Sequence, residues 1–436
     1  MKKKLLSLVL ATTMVAGLTA CGAEKAPEQS AADPVASTTT EDTADDTTAD
    51  APVETKTVDL TVWSPSEDQA EETGAWLQTM CEQFDEAHPE WDINFTYGVC
   101  AEGDAKATVT QDVEAAADVY MFANDNITDL LANNAIARLG GATLDYINAE
   151  IPAALVEYVT VDGGVYGIPF TSNTWFMYYN KNIFSEDDVK SMEAMLEKSK
   201  VAFPLTNSWY IASFYVANGC TLFGDGTDEA AGIDFAGDKA VAVTDYLVDL
   251  VANPNFVNDA DGAGIAGLTD GTIGAMFSGS WDYANVVNAL GGVENVGAAQ
   301  LPTVTINGEA KQMKAFAGAK AIGVNPTCEN MDVAVALAAY LGGEEAQKAH
   351  FLMRDVIPAN ITLGNDEEVK ANPVAIAQAA TIDNTAIMQP FVAKMGNYWG
   401  PAENMGKAIV AKEVTHDNAA DETAKMNETM NKEIVE

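Results

Sequence analysis

The sequence contains few basic residues for its length. Among 436 residues there are 23 lysines and arginines against 65 aspartates and glutamates, which gives a formal net charge of −42 at pH 7. A surface this acidic repels the phosphates of nucleic acids and the anionic headgroups of lipids. The charge therefore excludes a nucleic-acid partner, and it argues against an anionic substrate.

Histidine and cysteine are scarce, and the motifs of common hydrolases are missing. The three histidines are His88, His350 and His416, and the sequence has no HExxH, no GxSxG and no glycine-rich phosphate loop. The five cysteines form no CxxC pair and no cluster with histidine, which argues against a zinc site. Carboxylates are numerous enough for a glycosidase pair, but nothing in the sequence brings two of them together. We expect a protein that is not an enzyme and that needs no metal or cofactor.

The apolar run near the N-terminus is too short for a permanent membrane span. It covers residues 5–15, whereas a transmembrane helix needs about 20 apolar residues. Three lysines at positions 2–4 precede it, and this order is typical of a secretory signal. The run leads to LTACG at 18–22, which resembles the lipobox of bacterial lipoproteins. This resemblance implies a signal peptide over 1–20 and a lipid on Cys21; the alternative is an ordinary cleavage site that happens to precede a cysteine.

The segment that follows has the composition of a disordered tether. Residues 22–57 hold almost no large apolar side chain, and their nine acidic residues and two lysines give a net charge of −7. Such a segment cannot bury enough surface to offset its ordering entropy. We expect residues 21–57, which begin with the lipidated cysteine, to form an acidic tether with a span of roughly 30–35 Å.

Residues 58–436 alternate between strand and helix patterns. VDLTVWSP (58–65) and DINFTYGV (92–99) predict strands, and a helix with one apolar face is predicted between them. That face consists of Leu77, Met80, Cys81 and Phe84. The alternation is typical of a largely parallel sheet, and the length suits two domains. Open parallel sheets bind ligands beyond the carboxyl ends of their strands, which points to residues 63–68 and 122–126.

The stretch GAMFSGSWDYANVV (274–287) places a large aromatic residue just after a predicted strand. Ala275-Met276-Phe277 predicts a short buried strand, and Trp281 follows on a turn between small residues and Asp282. Trp281 is either a core residue that covers its domain or a platform that faces a ligand. Its position beyond a strand favours the second interpretation.

Six segments in one order carry a family resemblance. They are LTVWSPSEDQ, ADVYMFANDNITDLLANNAIARL, GGVYGIPFTSNTWFMYYNKNIF, GTIGAMFSGSWDYANV, FAGAKAIGVNPTCENMDVAVALAAYL and MQPFVAKMGNYWGPAENM. With the lipobox-like segment and the acidic tether, this ordered set resembles the bacterial extracellular solute-binding proteins of ABC importers, in particular the maltose/maltodextrin-binding branch.

The resemblance implies an α/β protein with a periplasmic-binding-protein-like fold. Two lobes are joined by crossing hinge segments and close on a ligand in the cleft between them. The implied bounds are 58–170 plus 320–384 for the first lobe and 171–319 plus 385–436 for the second. The implied crossings lie near Thr171, Ala319 and Asn384.

The resemblance also implies aromatic platforms for the flat C–H faces of sugar rings. The stacking positions of the family are matched by Trp281, Trp399 and Trp209. The adjacent Tyr398 and Tyr210 are further candidates for contact with a sugar. Trp63, at the end of a predicted strand, is a further candidate. The alternative for each is a role in packing beneath the cleft.

Polar contacts to sugar hydroxyls are implied for a second group. Asp125 matches the cleft aspartate of the family, and the same turn carries Phe122, Asn124 and Asn126; Asp125 is alternatively a helix N-cap. In this sequence Asn126 replaces an arginine and Asn173 replaces a glutamate, and asparagine can still bind hydroxyls because it both donates and accepts hydrogen bonds. Glu67 and Asp68 are the remaining candidates, and each is alternatively a solvated loop charge.

The function implied by the resemblance is capture of malto-oligosaccharides and their delivery to the permease subunits of an ABC transporter. The protein would be a monomer, held on the extracellular face of the bacterial cell membrane by its N-terminal lipid. Another oligosaccharide, or a polyamine or other cation, is the alternative ligand, since acidic and aromatic sites also suit ammonium groups. Use of the same cleft by a chemoreceptor or adhesion protein stays open, as does a disulfide between Cys81 and Cys100.

Overall fold

The computed structural model describes residues 55–433. The predicted signal peptide, the lipidation site at Cys21 and most of the predicted tether lie outside these residues. The tether is predicted to reach residue 57, but the first strand already begins at Lys56. Lys56 and Thr57 pair with Trp91 and Asp92 of the neighbouring strand. Backbone pairing thus orders two polar residues that composition alone assigns to the tether.

Within the described range the chain forms seventeen strands and seventeen α-helices. The strands are β1 Lys56–Ser64, β2 Trp91–Val99, β3 Val119–Ala123, β4 Thr160–Val161, β5 Gly164–Val165, β6 Ile168–Asn173, β7 Phe176–Asn180, β8 Lys200–Phe203, β9 Thr221–Leu222, β10 Ile233–Asp234, β11 Phe256–Asn258, β12 Ile273–Ser278, β13 Val296–Ala299, β14 Thr303–Ile306, β15 Glu309–Gln312, β16 Ala315–Val324 and β17 Ala386–Met388. The helices are α1 Trp76–Ala87, α2 Ala105–Val109, α3 Ile127–Ala132, α4 Gly141–Glu150, α5 Ala153–Glu157, α6 Met192–Lys198, α7 Ser208–Ala217, α8 Gly237–Ala252, α9 Ala263–Asp270, α10 Tyr283–Leu290, α11 Met331–Leu341, α12 Glu344–Arg354, α13 Ile361–Gly364, α14 Glu367–Ala371, α15 Pro373–Thr385, α16 Gly396–Val410 and α17 Ala419–Met430.

The first lobe is built on a sheet of order β17-β16-β3-β1-β2, with β6 added on β16. β1 runs parallel to β2 and β3, whereas β16 is antiparallel to β3 and β6. Val58, Leu60 and Val62 of β1 are buried and alternate with more exposed residues, as the two-residue period of a strand requires. The predicted parallel arrangement is confirmed for the first three strands.

Helix α1 covers this sheet through the face predicted from the sequence. Leu77, Met80, Cys81 and Phe84 are all buried, and the helix ends at Ala87. The helical prediction and its apolar face are therefore confirmed.

The second lobe is built on a sheet of order β11-β8-β12-β7-β13. β11 and β12 are parallel to β8, and β7 is antiparallel to β12 and β13. β12 is buried at every position, because helices cover both faces of this sheet. The strand predicted at 275–277 is confirmed, and Trp281 follows its carboxyl end on a short 3₁₀ turn.

Three segments connect the lobes of this α/β fold. The first lies between β6 and β7, and the third leads into α15, which packs on the second sheet. The second is β16 itself: Ala315 and Phe316 belong to the core of the second lobe, whereas Ala321 and Ile322 belong to the core of the first. One extended strand thus reaches from one core into the other.

Helix α15 departs from the predicted division of the chain. All but its last residue lie within 320–384, which the resemblance assigns to the first lobe, yet it packs against β13 and β7 of the second sheet. Val374 and Ala377 share an apolar cluster with Val296 of β13. Burial of this face against the second sheet therefore moves the division between the lobes to a point before α15.

The cysteines of the described part of the chain are unpaired. Cys81, Cys100 and Cys220 are buried thiols, and Cys328 is half-buried. The disulfide left open between Cys81 and Cys100 is absent from this structure. No helix between residues 55 and 433 is both long enough and apolar enough to cross a membrane.

Candidate ligand-binding cleft

Residues from both lobes enclose a cavity of about 370 Å³, which we call the central cavity. Trp209, Trp281 and Trp399 of the second lobe line it, together with Asp125 and Asn173 of the first. The structure thus brings five of the predicted site residues to one place.

Two of the tryptophans form one wall of the central cavity. Trp281 lies on the turn after β12 and Trp209 in the first turn of α7, and their ring centroids are 6.1 Å apart. The side chain of Asn207 caps α7 by accepting a hydrogen bond from the Trp209 amide. The indole nitrogen of Trp209 donates to Oε1 of Gln389 at 2.6 Å, which fixes the orientation of the ring.

Trp399 faces the same cavity from helix α16. Its ring packs edge-on against Phe316 of β16, with centroids 6.1 Å apart at an interplanar angle of 72°. Three indole rings on one cavity offer flat apolar surfaces of the kind that bind the C–H faces of a ring-shaped ligand.

Asp125 provides a carboxylate at the carboxyl end of β3. It is only partly buried by its neighbours, and Asn126 donates to Oδ1 of the carboxylate at 3.2 Å. Burial raises the pKa of Asp125 above its usual 3.8, and Lys106, Asn126 and Gln389 partly offset this rise. The carboxylate keeps room to accept hydrogen bonds from a ligand.

The two asparagines beside Asp125 are buried and hold the turn. Oδ1 of Asn126 accepts a hydrogen bond from the amide of Lys106 at 2.8 Å, and Oδ1 of Asn124 accepts one from the amide of Ala319 at 3.0 Å. A side chain at Gly318 would collide with Asn124, so the crossing strand passes close to this turn. Neither asparagine lines the central cavity; both position Asp125 and the strand.

Phe122 and Trp63 lie away from the central cavity. Phe122 is fully buried in the first lobe, where its ring packs against Gly167 and Gly323. Trp63 lies across Gly98 of β2, on the face of the sheet opposite to Val62. The structure therefore does not bring these two rings to the central cavity: β3 is buried at every position, and Trp63 packs against β2.

Tyr210 and Tyr398 support the tryptophans from beneath. Tyr210 packs at 4.7 Å from Trp175 and edge-on to Trp209 at 5.4 Å between centroids. Tyr398 is fully buried, and its hydroxyl donates to the carbonyl of Ser208 at 2.7 Å. Both tyrosines belong to the core of the second lobe and do not line the central cavity, and their contact with a ligand stays a prediction.

Glu67 and Asp68 belong to a neighbouring cavity of about 200 Å³, which we call the charged cavity. Glu67 is exposed, but Asp68 is buried, with its Oδ1 2.9 Å from Nε2 of His350 and 3.1 Å from Nε of Arg354. Burial alone would raise the pKa of Asp68, but His350 and Arg354 hold it below its usual 3.8. The alternative of a solvated loop charge is therefore wrong for Asp68, which forms an internal ion pair, and its contact with a ligand stays a prediction.

Sequence reasoning missed four polar residues of the central cavity: Glu102, Lys106, Lys320 and Gln389. Nζ of Lys320 is 3.1 Å from a carboxylate oxygen of Glu102 and 5.2 Å from the centroid of the Trp281 ring. A signal existed for Lys320, because a lone charge interrupts the apolar run AFAGAKAIGV of β16. Within 55–433, no three histidine, cysteine or acidic side chains come together as a metal site.

The sequence model of the bacterial extracellular solute-binding protein family matches residues 79–377, and the chain belongs to this family. The maltooligosaccharide ABC transporter solute-binding lipoprotein of Streptococcus pneumoniae is 27% identical over 310 residues, which are 66% of this chain and 70% of that protein. The galactooligosaccharide-binding protein of Bacillus subtilis is 25% identical over 296 residues, 62% of this chain and 67% of its own.

A protein of known structure, solved with acarbose, is 52% identical to this chain. It superposes with a TM-score of 0.83 and covers 86% of this chain and 98% of its own. The maltodextrin-binding protein MalE1 of L. casei BL23, at 22% identity and a TM-score of 0.76, covers 86% of this chain and 99% of its own and shares the fold.

Proposed function

We propose that this protein captures α-linked malto-oligosaccharides in the central cavity and delivers them to the permease of an ABC importer. The observation that carries the proposal is the set of three tryptophans with a carboxylate and an amide on one cavity between two lobes. A sugar presents flat apolar faces and a rim of hydroxyls, so indole rings and planar polar groups are its chemical complement.

The similar proteins support the same ligand class. The relative in Streptococcus pneumoniae is named for maltooligosaccharides, and the 52% identical structure holds acarbose, an oligosaccharide analogue. Three aromatic platforms with a few charge-assisted hydrogen bonds would give an affinity of about −8 kcal/mol, which is micromolar.

A galacto-oligosaccharide is the second candidate, because the relative in Bacillus subtilis is named for that ligand. The charge of the cavity wall argues against a polyamine. Lys106 and Lys320 line the central cavity beside its carboxylates, and the Lys320 ammonium already lies over the Trp281 ring, where an ammonium ligand would bind.

The test is a titration of the lipid-free mature chain, followed by tryptophan fluorescence at low and high salt. Maltotriose, maltoheptaose, a galacto-oligosaccharide and spermidine are compared. We expect saturable, salt-insensitive changes with the two malto-oligosaccharides, since a neutral ligand responds little to ionic screening. Saturation by the galacto-oligosaccharide or spermidine alone would contradict the proposal, and release of shorter sugars during incubation would contradict a pure binding function.

The proposed lipid anchor is supported by the N-terminal sequence, and the proposed permease partner is supported by membership of the family. We propose that Cys21 becomes the lipidated first residue and that the tether holds the binding lobes outside the cell membrane. Replacement Cys21→Ser should move the protein from the detergent phase to the aqueous phase. Retention of the variant in the detergent phase would contradict the lipid assignment.

A further inference from the structure

Three residues lie between the centres of the central cavity and the charged cavity and are shared by both linings. Glu102, Trp281 and Lys320 line both. Lys320 is the link, because its ammonium contacts the Glu102 carboxylate on one side and lies over the Trp281 ring on the other. We call this trio the partition. It joins a turn of the first lobe, the crossing strand β16 and the second lobe.

The partition is firmly held. Lys320 pairs along the backbone with Ala123 of β3 and with Thr171 of β6, so its main chain lies between two strands. The side chains of Lys320 and Glu102 are only 18% and 12% exposed. Separating such a shielded pair would leave two poorly solvated charges, so the ammonium and the carboxylate stay together.

The opposite end of the central cavity is more exposed to solvent than the partition. Lys106, Asp125 and Trp399 also line a third cavity of about 250 Å³, which continues along residues 390–396 and which we call the outer cavity. The ion pair at this end, between Lys106 and Asp129, is 34% and 57% exposed. Solvent therefore reaches this end of the cleft, whereas the partition is shielded.

We propose that the partition ends the sugar channel, so that an oligosaccharide binds with one terminal residue against Lys320 and extends past Trp399 toward the outer cavity. This inference rests on the proposed function and adds to it the selection of one chain end. The ammonium of lysine has three N–H donors, and those not used by Glu102 are available to the hydroxyls of the terminal sugar.

The test compares three forms of maltopentaose: unmodified, reduced at the reducing end to open that ring, and carrying a 4,6-O-benzylidene group at the non-reducing end. On the wild-type protein we expect one modification to lower affinity at least about tenfold, because a site built around a terminal sugar rejects an altered one. The other modification should change affinity less than about twofold, because that end faces solvent.

Variants then show which residues cause the difference in affinity between the two modified ligands. The double variant Glu102→Gln with Lys320→Met removes the ion pair at similar volume, and the ratio between the two modified ligands should fall to about 1–2. The matched control is Lys106→Met at the open end, which should preserve the ratio even if overall affinity changes. Thermal unfolding of each variant shows that it is folded.

Each outcome has one meaning. Equal affinity of the wild type for both modified ligands would overturn the inference while leaving the proposed function, because the chain would then pass the partition or lie across it. A ratio that persists in the double variant would also overturn it. Absence of binding by every malto-oligosaccharide would contradict the proposed function itself, and the inference with it.

Discussion

The charged cavity and the central cavity lie side by side, yet they use their polar groups in opposite ways. In the charged cavity the carboxylate of Asp68 is committed to His350 and Arg354. In the central cavity Asp125 accepts a hydrogen bond from Asn126 at 3.2 Å and has no ion pair within 4 Å among residues 55–433, and three indole rings line the same space. A cluster of buried charges is therefore not by itself a binding site. We expect a ligand to bind where side chains are held in place but keep unused binding capacity.

Breaking the ion pair of the charged cavity should give the largest effect, and it should be an effect on stability. For Arg354→Met we expect the free energy of unfolding to fall by about 3 kcal/mol, because a buried carboxylate loses one of its two partners. Affinity for maltoheptaose should change little. Urea denaturation measures the first quantity and calorimetry the second.

The matched control is Lys190→Met, which removes the exposed pair with Asp187 and should leave stability almost unchanged.

The contribution of Asp68 to the free energy of unfolding depends on pH in one direction. Because the pKa of Asp68 is lowered in the folded state, its contribution is present above the ordinary value of 3.8 and is lost as the pH falls through the folded pKa. If the Arg354→Met variant bound sugar poorly but unfolded like the wild type, the comparison between the two cavities would be contradicted.

The tryptophans of the central cavity should show the converse pattern. Trp281→Ala and Trp399→Ala should each weaken binding of maltoheptaose by about 2 kcal/mol, or about thirtyfold, because each removes one aromatic face. The free energy of unfolding should change less, since both rings are only partly buried. The control is Trp63→Phe, which lies outside the cavity. Unchanged affinity in both alanine variants would show that the site is misplaced.

A smaller effect is expected from the carboxylate. Asp125→Asn should weaken binding about tenfold, because a charge-assisted hydrogen bond becomes a neutral one. The raised pKa of Asp125 means that its carboxyl takes up a proton at a higher pH than an ordinary aspartate. Affinity of the wild type should thus fall as the pH drops through this range, above 3.8, and the variant should lose that dependence. Calorimetry at several pH values would test this, and an identical pH profile in the variant would contradict the role.

The smallest effect should come from a surface cluster outside both cavities. His416 lies 2.8 Å from Asp245 and 2.9 Å from Asp249, and these hydrogen bonds raise its pKa above 6.5. A raised histidine pKa stabilises the fold fully below 6.5, and this contribution is lost as the pH rises through the folded pKa. Because these groups are exposed, His416→Gln should remove no more than about 0.5 kcal/mol. Melting temperatures at pH 6 and pH 9 would reveal this, and a variant that keeps the wild-type difference would exclude the histidine as its source.

Local patterns predicted the elements that carry the site. The apolar face of α1 and the buried strand before Trp281 follow from spacing alone, and the rule on strand ends placed Asp125 and Trp281 at the cleft. The same rule could not separate Trp63 from Trp281. Which face of a strand points to the cleft depends on its neighbours, and β1 turns Val62, not Trp63, toward the core.

The contacts that sequence reasoning missed join distant parts of the chain. Asp68 meets partners 282 and 286 positions away, and Gln389 reaches Trp209 across 180 positions. Phe122 lies in a strand that is buried at every position, so no alternation marks its direction. Periodicity therefore predicts helices and strands, whereas contacts between residues far apart in the sequence appear only in the folded chain.

Strand β16 has a consequence for how this protein can change. Its first residues are fixed in one core and its last residues in the other, and Lys320 lies between them. A strand held at both ends by packing can adjust only in its middle. If Lys320 contacts the sugar as proposed, mutations there would alter the bending of the connection and that contact together. Natural variation in sugar preference and in lobe motion would therefore be inherited as a linked pair of traits, with the same few positions under both selections.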